Sequence, residues 1–201
     1  MLVALSSNAY AVDMQTALTN LSNIIMPLTG VVLMASYIGG VFMIFSALIY
    51  MKKFGTQGTA TSQPGEFSGP LLKLIIGAIL IYLPTSTDVF LNSMFGTGAL
   101  LFGGSAANYQ NLGVGGSLLG YLSADPLSQQ WQSLANTLVL YIQFLGLLSF
   151  IKGWFILSHA TGQGAQQGSF SKGMTHIIGG IIAINFVGIV TLIANTITGS
   201  G

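Results

Sequence analysis

The chain has 201 residues, of which five are basic, four acidic and 52% hydrophobic. An ordinary soluble domain carries about a quarter charged residues, so this composition excludes a water-soluble globule, and a net charge of +1 excludes the broad basic surface of a nucleic-acid-binding domain. The absence of cysteine removes any disulfide framework or thiolate metal site, and the 27 glycines suit closely packed membrane helices, since a glycine inside a soluble helix costs about 1 kcal/mol.

Residues 1–11 begin apolar and end Ala9-Tyr10-Ala11, the small-x-small pattern of a signal-peptidase site. A secretory signal also needs a basic n-region and an apolar core of about 7–15 residues. Here only Leu2-Val-Ala-Leu5 precedes Ser6-Ser7-Asn8, which leaves a cleaved signal and a retained N-terminal arm both open. From Asp13 the pattern changes: Met14, Leu18, Leu21 and Ile25 share one helical face, with Gln15, Thr16, Thr19, Asn20 and Asn23 elsewhere. That predicts an N-terminal amphipathic helix whose Asp13 complements the helix dipole. It either lies in the membrane interface or forms the first turns of the next helix, and Pro27 is expected to separate the two.

A first membrane helix is predicted over 28–51, with Ala35 and Gly39 at the small-xxx-small spacing that brings helices together. Lys52 and Lys53 stop it. A polar loop rich in Gly, Thr, Gln and Ser follows, and Pro70 suits a helix start, where its missing N–H would be unpaired in any case. The second helix covers 70–95, but its apolar part is only 74–83. Pro84 and the polar run Thr85-Ser-Thr-Asp88 predict a bend there, with Asp88 near the far interface as a solvated helix end in preference to a buried functional carboxylate.

Between Gly96 and Gly120 there are eight glycines, threaded with apolar words such as Ala99-Leu100-Leu101-Phe102. A loop of that kind is expected to be covered, either by re-entering the membrane inside protein or by a partner. Asp125-Pro126 then marks a helix start. A third membrane helix is expected over 134–157, with Trp131 and Trp154 at the two interfaces and Lys152 snorkelling. After a second Gly/Gln-rich loop, Lys172 and His176 introduce a fourth helix that is uncharged from Ile177 to Ile193. In it Gly179 and Ala183 form a small-xxx-small pair, Gly180 lies beside them, and Asn185 is able to hydrogen-bond across the contact.

The fold class expected is therefore an all-α membrane protein: four transmembrane helices as two helical hairpins of the same orientation, plus the N-terminal amphipathic helix. The divisions are 1–27 (arm and amphipathic helix), 28–95 (first hairpin), 96–130 (glycine-rich outer loop) and 131–201 (second hairpin and tail). All five lysines, Lys52, Lys53, Lys73, Lys152 and Lys172, lie in or beside the two inter-helix loops, whereas Asp13, Asp88 and Asp125 lie at the other side. Basic excess marks the cytoplasmic face, which puts both termini outside. The halves also align without gaps: Gly65/Gly168, Phe67/Phe170, Ser68/Ser171, Ile75/Ile178 and Gly77/Gly180 match, as expected of a duplicated hairpin.

Catalytic machinery is not legible. Gly162-x-Gly164 lacks the strand and third glycine of a nucleotide loop. His159 and His176 have no cysteine and only Glu66 as a nearby loop acid, with no ligand spacing. A transporter would carry an ionisable or polar midplane site, for which only Asn185 and Gln143 offer themselves. No cofactor, metal or enzymatic activity is expected.

Ile156-Leu157-Ser158-His159, Gly168-x-Phe170 and Gly173-x-Thr175-His176-Ile-Ile-Gly-Gly together resemble the IcmC/DotE family, small inner-membrane proteins of Dot/Icm-type IVB secretion systems with relatives in conjugative plasmid transfer systems. Gly69-Pro70-Leu71 followed by Leu80-Ile81-Tyr82-Leu83-Pro84 is similar to the second helix of that family, so the likeness covers about 28–193. Lys172 stands where the family often has arginine, and the central 96–123 is longer and more glycine-rich than the family pattern. The resemblance implies a non-catalytic subunit of a translocation channel in the bacterial inner membrane. Its partners would be other membrane subunits and further copies of itself, and it would meet cargo protein or DNA only indirectly. A conjugative pilus-like extracellular filament subunit and a small transporter acting alone are the other readings.

Overall fold

The computed structural model describes residues 2–56, 68–95, 126–160 and 168–186, with residues 189, 193, 196 and 197. Its elements are five helices: α1 Leu2–Thr56, α2 Ser68–Ile81, α3 Leu83–Phe95, α4 Pro126–Leu157 and α5 Ser169–Ile184. No strand occurs among the described residues. The glycine-rich segment 96–125 and the loops 57–67 and 161–167 lie outside them.

α1 is one helix of 55 residues, with Pro27 inside it. The separation expected at Pro27 is thus absent, and the N-terminal segment is continuous with the first membrane helix. A proline removes one backbone hydrogen bond, here to the carbonyl of Asn23, but an apolar medium offers the other backbone groups no alternative to the helix. Two residues on, the Thr29 hydroxyl donates to the Ile25 carbonyl at 2.8 Å. The side chains of 2–15 lie outside the described set; of the expected apolar face, Ile25 is buried and Leu21 exposed.

The bend expected near Pro84 is present. α2 and α3 meet at 95° around Tyr82. Pro84 has no N–H for the Leu80 carbonyl, and the Ser86 hydroxyl turns back to the Ile79 carbonyl at 3.3 Å, so part of the opened backbone is satisfied by a side chain. α4 begins at Pro126, as Asp125-Pro126 predicts. α1 and α4 contain helices long and apolar enough to cross a membrane, over Asn23–Lys52 and Thr137–Leu157, and the bent α2–α3 pair makes a third if it is one span. α5 ends at Ile184 with Asn185 as its C-cap; of the rest of the expected 177–193, residues 186, 189 and 193 are again helical, Ile189 N–H donating to the Asn185 carbonyl at 3.1 Å, and the others lie outside the described residues.

α1 pairs with α2 and α4 with α5, and the two pairs join through α1 on α4. The core runs from Ile76 and Leu80 of α2 and Leu83 and Leu91 of α3 to Leu147, Phe150, Trp154, Ile177 and Ile181 of the α4–α5 pair. Trp154 is buried inside the protein at 7% exposure. The α2–α3 bend carries Phe90 over it: Phe90, Phe150 and Trp154 form a triangle with ring centroids 5.7–5.9 Å apart, two of the pairs edge-on. The side chain of Trp131 lies outside the described residues.

Candidate helix-packing interface

The sharpest geometry in the molecule is where backbones touch. A Cβ placed on Gly40 would lie 2.7 Å from the Gly77 carbonyl oxygen, and one on Gly77 would lie 2.8 Å from the Gly40 oxygen. The α4–α5 pair repeats this: a Cβ on Gly146 would lie 2.9 Å from the Gly180 oxygen, and one on Gly180 2.8 Å from the Gly146 oxygen. Neither distance is compatible with a real side-chain carbon, so only glycine permits these crossings. The flanking contacts match too. Gly40 faces Ile81 and Gly77 faces Ile44; Gly146 faces Ile184 and Gly180 faces Phe150, in each case the residue one turn past the partner glycine.

A second crossing lies two turns away on α4–α5, where a Cβ on Gly153 would lie 2.9 Å from the Gly173 oxygen. In the first pair the corresponding places hold Ala47 and Pro70, both buried. Both returning helices are also interrupted at one register. Tyr82 N–H donates to Ala78 and Ser86 N–H to Tyr82, at 3.1 and 2.8 Å; Asn185 N–H donates to Ile181 and Ile189 N–H to Asn185, at 3.0 and 3.1 Å. The alignment of the two halves therefore has a counterpart in crossing, flank and break.

The small residues expected to pack divide by this geometry. Gly77 and Gly180 lie in the crossings, and Ala183 is half-buried with its Cβ 2.9 Å from a Cβ built on Gly146. Gly39 is covered by Phe155, whose ring would come within 2.9 Å of an added Cβ. Ala35 and Gly179 are exposed, Gly179 with nothing within 4 Å, so neither packs against another of the described helices. Gly40, Gly146 and Gly153 were not singled out by the sequence reading. The seven-residue spacing of Gly146 to Gly153 and of Gly173 to Gly180 was the available signal, because two helices meeting at two glycine contacts need the same spacing on both.

Of the family-motif residues, Gly168 caps α5 with φ 86°, a left-handed conformation that favours glycine, and Gly173 sits in the second crossing. Thr175 donates to the Ser171 carbonyl at 2.9 Å, and Phe170 is exposed. His176 is half-buried. Its carbonyl accepts from the Ser149 hydroxyl at 3.1 Å, with the same hydroxyl 3.3 Å from Nδ1, which ties α5 to α4 by side chain as well as by backbone. Asn185 is half-buried as the C-cap of α5, and Gln143 is buried.

Lys52, Lys152 and Lys172 are exposed, while Lys73 is half-buried with its Nζ 5.1 Å from the centre of the Tyr50 ring. The side chain of Lys53 lies outside the described residues. Asp88 is half-buried with its Oδ1 inside the protein, in contrast to the solvated helix end expected. His159 is exposed at the end of α4, its Nδ1 2.9 Å from the Phe155 carbonyl and 3.1 Å from the Ser158 hydroxyl. Among the described residues no three His, Cys, Asp or Glu side chains converge as metal ligands would.

These features define a class: a protein whose described residues are helical and form two glycine-crossed hairpins, with helices long and apolar enough to cross a membrane. Compared with protein-family models, with curated proteins and with solved structures, the chain matched none.

Proposed function

We propose that the protein is a non-catalytic integral membrane component of a type IVB secretion or conjugation apparatus, with a structural or assembly role in its translocation channel. One observation carries the reading. Several of the residues through which the sequence resembles the IcmC/DotE family lie at close contacts and special backbone positions: Gly168 in the left-handed cap, Gly173 and Gly180 in the crossings, His176 on Ser149, and Pro84 beside the bend. A sequence pattern whose words fall on close backbone approaches is suited to a rigid packing element.

In this reading α1, the bent α2–α3 pair, α4 and α5 with its continuation make four passes of the bacterial inner membrane. The lysines are cytoplasmic and both termini periplasmic. The partners are other membrane subunits of the apparatus and further copies of this chain; cargo protein or DNA is met only indirectly.

Deleting the gene should abolish cargo transfer, and a tagged copy that restores transfer should co-purify with other envelope subunits. Normal transfer in the deletion strain overturns the reading. So does purified protein in liposomes that drives solute flux alone, which would favour a small transporter using the buried Gln143 or the half-buried Asn185.

A further inference from the structure

The two hairpins are built alike, but they do not pack on one another as mirror partners. Matching the halves by their crossings, Gly40 with Gly146 and Gly77 with Gly180, makes Gly39 correspond to Leu145, Phe155 to Ile49 and Trp154 to Leu48. By the sequence offset that matches Gly77 with Gly180, Phe90 corresponds to Ile193.

Two contacts join the hairpins at these places: Phe155 against Gly39, and Phe90 against Trp154. Were the halves related by a two-fold axis, each contact would recur with the roles exchanged, as Ile49 against Leu145 and Ile193 against Leu48. It does not. Leu145 is 60% exposed, Ile49 59%, Ile193 51% and Leu48 49%. The interface between the halves is therefore head-to-tail. The second hairpin offers the surface of Phe155 and Trp154 and the first receives it around Gly39 and Phe90, while the opposite half of the same interface stays open on each.

We propose that a second copy of the chain closes this interface, its Leu48 and Ile49 packing on Leu145 and Ile193 of the first. The operation that carries hairpin one onto hairpin two then continues from molecule to molecule. All four residues are apolar, and the swap is complementary at one point, since the receiving side gains bulk from Gly39 to Leu145 as the inserted side loses it from Phe155 to Ile49. A head-to-tail contact generates a ring if the rotation closes and an open filament if it does not. Because lipid is as apolar as these side chains, specific packing and not burial must hold the contact. The inference rests on the assembly reading above only for the association of copies; the identity of the apparatus is not needed.

The chain has no cysteine, so the contact is testable by cross-linking in native membranes. The double variant Leu145→Cys with Ile49→Cys should give a ladder of covalent multimers under a short thiol cross-linker. The two single variants co-expressed should give dimers and no higher band, and each single variant alone should stay monomeric. Leu48→Cys with Ile193→Cys supplies an independent second pair. A single variant that cross-links to itself would reveal a two-fold contact and overturn the proposal. Absence of cross-links in both pairs, while native mass spectrometry shows multimers, overturns this surface and leaves assembly standing. A chain that is monomeric in native mass spectrometry and gives no cross-link overturns both.

Discussion

Gly180 and Gly146 meet across the α4–α5 crossing so closely that a methyl group on Gly180 would lie 2.7 Å from the Phe150 nitrogen and 2.8 Å from the Gly146 oxygen. Backbone cannot retreat as a flexible side chain can, so even the smallest substitution forces the helices apart.

Gly180→Ala should therefore destabilise the protein by about 1–3 kcal/mol, the usual cost of overpacking. The neighbouring Gly179→Ala meets nothing within 4 Å and should be neutral or slightly stabilising, because alanine is the better helix former. Thermal unfolding of both variants in mild detergent checks the contrast, and equal losses would place the crossing elsewhere. Gly180→Leu should go further and abolish assembly and cargo transfer.

In the first hairpin Gly40→Ala and Gly77→Ala should each cost a similar amount, and the double variant should cost less than their sum. Once one methyl group has separated the helices, the second has room. A double-mutant cycle reads this coupling directly. Strict additivity would mean that the two glycines do not share one contact.

Removing the ring of Pro84 gives residue 84 an N–H for the Leu80 carbonyl and favours a straighter α2–α3, which would lift Phe90 from Trp154. In a Trp131→Phe background, leaving Trp154 as the sole tryptophan, both Pro84→Ala and Phe90→Ala should shift its fluorescence to the red and increase quenching by a water-soluble agent. An unchanged spectrum for Phe90→Ala would contradict the aromatic triangle.

The proposed topology puts residues 57 and 166 in the cytoplasm. Gln57→Cys and Gln166→Cys should react with a membrane-impermeant maleimide only after the cells are opened. Labelling of intact spheroplasts at either position would reverse the arrangement.

Much of this fold was legible in the sequence where a residue's effect is local. Asp125-Pro126 set the start of α4, and Pro84 with its polar neighbours marked the bend. Pro27 has the same chemistry but no comparable run of hydroxyl side chains beside it, and α1 runs through it unbroken. The choice between Gly179 and Gly180 depended on which face meets α4, a property of the pair that one helix alone does not encode. The burial of Trp154 depends on a distant bend that brings Phe90 across it, which the tryptophan's own segment does not encode. The head-to-tail join of the hairpins left no sequence signal, because each contact takes one residue from either half and the matching positions are chemically unlike.

The two interruptions at Tyr82 and Asn185 share a register but differ in what they permit. Residue 84 is proline and has no proton to return to Leu80, so a straightened first elbow would leave that carbonyl without its helical hydrogen bond. Every residue from Ile184 to Ile189 keeps its N–H, so the second lacks that obstacle and can straighten and re-form. The two returning helices thus differ in one respect: a straight form of the first would stay one backbone hydrogen bond short at Leu80, and a straight form of the second would not.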